Sequence, residues 1–106
     1  MNPSTVAALG IYLRTLRQTS GQTVREVAAA ANMDPALLSK IENGNRLPTQ
    51  AQTTALARVF KLPESDTQAQ RITVDFLARY GRGEPTRKAL PLIQKALDGK
   101  GEINAG

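Results

Sequence analysis

Apolar side chains recur along this chain at three- and four-residue intervals, and nowhere do they alternate with polar ones over six positions. The first spacing marks one face of an α-helix and the second would have marked a strand. The pattern therefore predicts an all-α protein, a bundle of about five helices with an extra one at the carboxy terminus. Val6, Leu9, Leu13 and Leu16 form the stripe of a first helix from Ser4 or Thr5 to about Thr19, and Ile11 and Tyr12 widen it. Ser20-Gly21 stops it. Thr23-Val24-Arg25-Glu26 is a capping box that opens a second helix over about 24–31, where Val27, Ala28 and Ala31 offer a small apolar face. Asn32-Met33-Asp34-Pro35 reads as a turn and a fresh start. Asparagine tolerates positive φ, Asp34 suits the N-cap, and Pro35 suits the first helical position. The third helix spans 34–43 and ends at Asn43-Gly44. After a loop over 44–48, Thr49-Gln50-Ala51-Gln52 is a second capping pattern and opens a fourth helix to about Phe60.

Past Leu62-Pro63 the spacing predicts a fifth helix from about Asp66 to Tyr80, with Ile72, Phe76, Leu77 and Tyr80 apolar and Gly81 as its stop. Closing the core claims Ile72 and Phe76. A sixth stretch over 87–98 carries Leu90, Ile93 and Leu97. Pro91 lies inside it, so this helix either begins near Leu90 or is kinked there. Residues 99–106 contain three glycines and little to bury, and read as a flexible tail.

Composition then removes most chemistry. A chain of 106 residues can bury a core without staples, and this one has neither cysteine nor histidine. Zinc fingers, thiol nucleophiles, histidine acid–base catalysis and the usual transition-metal sites all fall away, so no metal or cofactor is expected. Glu26 and Asp34 are explained as caps. The carboxylates Glu64, Asp66, Asp75, Glu84, Asp98 and Glu102 form no recognisable metal or acid–base pair, and no glycine loop of P-loop spacing appears. An enzyme is not expected. The start Met1-Asn2-Pro3-Ser4 lacks a basic segment leading into an apolar one, and no apolar run approaches the roughly 18 residues of a membrane span. With no cysteine to oxidise, the expected compartment is the cytoplasm, with no membrane partner. Fourteen basic against nine acidic side chains give a net charge of +5. Residues 1–62 hold seven basic and three acidic side chains, whereas 63–106 hold seven and six. A positive amino-terminal half suits a polyanion, and nucleic acid is the commonest one available.

Two short helices joined by a tight turn and flanked by others make a helix-turn-helix arrangement. The ordered run Leu9-Gly10-x3-Arg14-x2-Arg17-x5-Thr23-x2-Glu26-Val27-Ala28, then Leu38-Ser39-Lys40-Ile41-Glu42-Asn43-Gly44-x-Arg46-x-Pro48-Thr49, then Leu56-Ala57, is more specific. It resembles the Cro and lambda-repressor-like family, the xenobiotic-response-element type, over about residues 9–62. The resemblance implies a lambda-repressor-like bundle and sequence-specific binding of double-stranded DNA. It further implies a transcriptional repressor that sits on a palindromic operator as a homodimer, through recognition helix 34–43. It also implies an ion pair of Arg17 with Glu42, and packing roles for Ala28 and Leu38.

Helix-turn-helix proteins set the amino-terminal part of the recognition helix against base edges, which nominates Ala36, Leu37, Ser39 and Lys40. Lys40 suits guanine, Ser39 several bases, and Ala36 or Leu37 a thymine methyl. Leu37 has a competing place in the core, and Lys40 a competing life as a solvated lysine. Phosphate contacts fall to Thr23, Val24 and Arg25 at the start of the second helix, and to Asn43, Asn45, Arg46 and Thr49 around the loop after the third. Many relatives carry glutamine where this chain has Val24, so any contact there passes to the backbone amide or to Arg25.

Residues 1–62 are thus expected to form the DNA-binding domain. Residues 63–98 close the core or pair with a second chain, with 85–98 contributing to a homodimer interface. A competing reading makes the protein an antitoxin or adaptor whose carboxy-terminal half binds a protein partner.

Overall fold

A computed structural model describes residues 4–99, and among these every regular element is an α-helix. There are six: α1 Val6–Thr19, α2 Val24–Ala30, α3 Pro35–Glu42, α4 Gln50–Val59, α5 Glu64–Tyr80 and α6 Glu84–Leu97. Side-chain caps set four of the starts. Thr5, Thr23, Asp34 and Thr49 accept from the amides of Ala8, Glu26, Ala36 and Gln52. At Thr23 and Thr49 the box is complete, because Glu26 and Gln52 reach back to accept from the cap amides.

The first five helices wrap one core. Leu9 and Leu13 of α1, Val27 and Ala28 of α2, Leu38 and Ile41 of α3, Leu56 of α4 and Val74 of α5 are all buried together. Each buried leucine or isoleucine contributes about 2 kcal/mol by leaving water. The approach of α1 to α3 depends on Gly10. A Cβ there would lie 2.4 Å from the Ile41 carbonyl oxygen and 2.6 Å from that of Glu42. Between α2 and α3 lies a four-residue turn over 31–34, in which Asn32 adopts φ of 54°.

Several sequence expectations need correction, most of them in the outer helices. Helix α5 starts at Glu64, and it turns Thr67 and Val74 to the core, so Ile72 on the opposite side is 59% exposed. Ile11 is likewise half exposed, at the edge of α1 away from the core. Helix α6 starts at Glu84 with Pro85 in its first turn and runs unbroken through Pro91. Pro91 is exposed, so the carbonyl it leaves without a donor lies toward water. No other helix packs along the length of α6, and its one buried residue is Thr86. The molecule is accordingly elongated, 49 × 25 × 24 Å. No helix among the described residues is long and apolar enough to cross a membrane. The expected tail falls outside the described residues beyond Gly99.

Candidate nucleic-acid interface

Eight residues of α3 are divided by packing into two faces. Leu38, Ile41 and Glu42 are buried. Ala36 and Lys40 are exposed, Ser39 is half-buried, and Asn43 continues the same stripe as the C-cap. Positions 36, 39, 40 and 43 follow the i, i+3, i+4, i+7 spacing of one helical face. Three of the four residues nominated for base contact therefore share a solvent-facing surface. Leu37 stands at its edge, half-buried and packed against the core.

Around this stripe the backbone is pinned from several sides. Asn45 donates its amide to the Lys40 carbonyl and Gly44 to that of Ile41, which closes α3 with Gly44 at φ of 77°. A Cβ on Gly44 would meet the Ala7 Cα at 2.8 Å, so the loop lies directly on α1. Farther along, Pro48 is buried and its carbonyl accepts from the Arg71 Nε at 2.7 Å. Arg71 belongs to α5, and no sequence motif marks it.

Beneath the stripe sits a charge cluster. Arg17 donates to both oxygens of Glu42, through Nε at 2.7 Å and Nη2 at 3.0 Å, and through Nη1 to the Gln22 carbonyl at 3.0 Å. Glu42 is only 4% exposed and the Arg17 side chain 14%. The bond to Glu42, reinforced by its charge, holds the Arg17 guanidinium above its ordinary pKa against the effect of burial. The two guanidinium bonds fix α1 against the carboxy end of α3, and with it the angle at which α3 is offered. Arg14 completes the cluster, its Nε 3.6 Å from Glu42 and its Nη2 donating to the Asn43 Oδ1. Sequence spacing placed Arg14 in the motif but assigned it no role. It ties the buried carboxylate to the last residue of the exposed stripe.

The nominated phosphate contacts fall at two places. Thr23, Val24 and Arg25 open α2, with Thr23 and Arg25 exposed and Val24 half-buried. The capping box takes the Thr23 amide and uses its hydroxyl as acceptor, leaving the Val24 and Arg25 amides for a ligand. The Thr23 amide, and after it the Thr23 hydroxyl, also hold the Glu26 carboxyl below its ordinary pKa. At the second place, Asn43, Asn45, Arg46 and Thr49 are all exposed around the loop after α3. Among the described residues no carboxylate lies within ion-pair reach of Arg25, Lys40 or Arg46. These three cations face solvent with their charge uncompensated by an ion pair.

A short helix with a polar, positively charged outer face, set by a four-residue turn on a second helix whose amino terminus is open, is a helix-turn-helix unit. Comparison with known proteins agrees. Residues 8–70 match the helix-turn-helix domain family. Over 83 residues the chain is 31% identical to the transcriptional regulator ClgR of Mycobacterium tuberculosis, in strains CDC 1551 / Oshkosh and ATCC 25618 / H37Rv, covering 78% of this chain and 70% of that protein. It is also 37% identical over 65 residues to RghRB of Bacillus subtilis strain 168, an uncharacterized HTH-type transcriptional regulator, covering 60% of this chain and 47% of that one. The chain belongs to the helix-turn-helix family, whose work is DNA binding in transcription regulation and not catalysis.

Proposed function

We propose that the protein is a sequence-specific regulator of transcription, a cytoplasmic repressor that occupies a palindromic operator as a homodimer. The observation that carries this reading is the two-faced α3, with Ala36, Ser39 and Lys40 outside and Leu38, Ile41 and Glu42 inside. The major groove of B-DNA admits one α-helix, and each good base contact is worth about 1–3 kcal/mol of discrimination. Residues 1–62 do the reading, and residues 63–98 close the core and bring two copies together. Lys40 donates to guanine, and Ser39 and Ala36 touch the neighbouring bases. Thr23, Arg25 and the Val24 amide grip one phosphate run. Asn43, Asn45, Arg46 and Thr49 grip another. Ordering of α3 by the Arg17–Glu42 pair and of the loop by Arg71 lowers the entropy lost on docking. The names borne by the two relatives support regulation of transcription as the outcome.

Selection from a random duplex library tests this, followed by titration of the winning and scrambled duplexes over a salt series. A palindromic winner with a wide margin over the scramble is expected. Lys40→Ala then relaxes base preference, and Arg46→Ala weakens both duplexes while lowering the salt slope by about one unit. Equal binding to both duplexes would refute operator recognition.

A further inference from the structure

By its backbone alone, the carboxy-terminal end of α3 is a poor place for an anion. Its last carbonyls carry the negative end of the helix dipole. The amides that follow are already committed: Asn43 donates to the Ser39 carbonyl, Gly44 to that of Ile41 and Asn45 to that of Lys40. The start of α2 is the reverse case, with the Val24 and Arg25 amides open. A donor offered at the end of α3 must therefore come from a side chain, and Asn43 is the exposed residue that closes the outer stripe there.

Two guanidiniums meet one carboxylate beneath it. Arg17 takes both oxygens of Glu42, while Arg14 brings its Nε to 3.6 Å from one of them. The cluster keeps a positive charge over, and it lies toward solvent on Arg14, whose side chain is 40% exposed against 14% for Arg17. Through Nη2 the Arg14 guanidinium donates to the Asn43 Oδ1. Arginine has only donors and no acceptor, so turning the Asn43 amide over would set donor against donor. The oxygen is held toward Arg14, and the Nδ2 on the other arm of the amide has no hydrogen-bond partner among the described residues.

We propose that Arg14 is a positioning residue that fixes the Asn43 side chain as a donor to a phosphate oxygen of the DNA backbone. The proposal rests on the reading of α3 as the DNA-facing helix and deepens one contact within it. An amide so held is unsuited to the paired bond with adenine, which asks its oxygen and nitrogen to face the base together. A phosphate oxygen asks only for a donor. Asn43 also lies seven residues beyond Ala36, at the end of α3 away from the base-reading amino-terminal part. The spare charge on Arg14 polarises the amide, strengthens the donor and offsets the negative helix end beside it.

A double-mutant cycle in the full chain tests this, read by titration of a short duplex of mixed sequence, whose phosphates are present whatever the operator. Salt at roughly 0.15 M screens charges lying more than about 8 Å from the DNA. Arg14→Met and Asn43→Ala change side chains that reach solvent, so both should melt as cooperatively as the wild type. Each is expected to weaken binding about tenfold per chain, and the double variant also about tenfold, because Arg14 acts through Asn43. In the free protein, heteronuclear NMR should show the Asn43 side-chain NH2 resonances moved by Arg14→Met. Losses that multiply to about 100-fold in the double variant would mean that Arg14 meets the phosphate itself, and would overturn the proposal. So would an Arg14→Met chain that binds as tightly as the wild type, or Asn43 resonances that stay in place. A wild-type chain that binds no duplex would instead bring down the DNA reading, and the phosphate contact with it.

Discussion

Replacing Glu42 by alanine removes the one carboxylate that, among the described residues, lies within reach of Arg14 and Arg17. Arg17 loses two charge-assisted bonds, at 2.7 and 3.0 Å, and keeps only the Gln22 carbonyl. Breaking a buried ion pair from one side costs about 3–5 kcal/mol, since the surviving charge stays out of water. Two features place this case at the lower end. Arg17 retains one acceptor, and its side chain is still 14% exposed. Arg14 adds little, because a guanidinium 40% exposed turns to solvent. The expected loss is about 3 kcal/mol, out of the roughly 5–15 kcal/mol that holds a domain together. With a urea slope of about 1.5 kcal/mol per molar, the unfolding midpoint should fall by about 2 M. The pair Arg17→Met with Glu42→Leu fills the same space without charge, and should recover to within about 1 kcal/mol of the wild type. A midpoint shift under about 0.5 M for Glu42→Ala would refute the reasoning, as would a double variant as weak as the two single losses added together.

Two further outcomes follow from the packing and the caps. Gly10→Ala drives a Cβ into two backbone carbonyls of α3, so α1 must retreat, and urea unfolding should register a loss of about 1–3 kcal/mol. Glu26 has a folded pKa below its ordinary value of 4.5, so its ionised form stabilises the fold above that value and the contribution disappears as the pH falls through the lower folded one. Thermal melts of the wild type and Glu26→Gln should therefore converge on acidification below about pH 4, and a constant gap between them would contradict a stabilising role for the Glu26 charge.

A division between local and distant interactions explains which features are legible in the sequence. Helix starts at Thr5, Thr23, Asp34 and Thr49 are bonds between residues two or three apart, so the residue types alone announce them. The turn at Asn32 and the stop at Gly44 are equally local, because only a few residue types occupy positive φ. For α3, caps and apolar spacing together were enough to orient the helix and to nominate its outer residues. Helix α6 begins before its apolar spacing does, because Pro85 suits a first turn, and Pro91 inside it points to a break that solvent exposure makes unnecessary.

Tertiary structure alone decided the rest. Both Ile72 and Val74 are apolar and only two positions apart, yet α5 meets α1 and α4 with the Val74 side, and only that docking tells which is buried. Arg71 on the Pro48 carbonyl and Arg14 on Asn43 join residues 23 and 29 positions apart. A guanidinium has no local preference that would reveal such a partner. Their positions follow from helix crossing angles, which are set by how the side chains of every helix interlock at once.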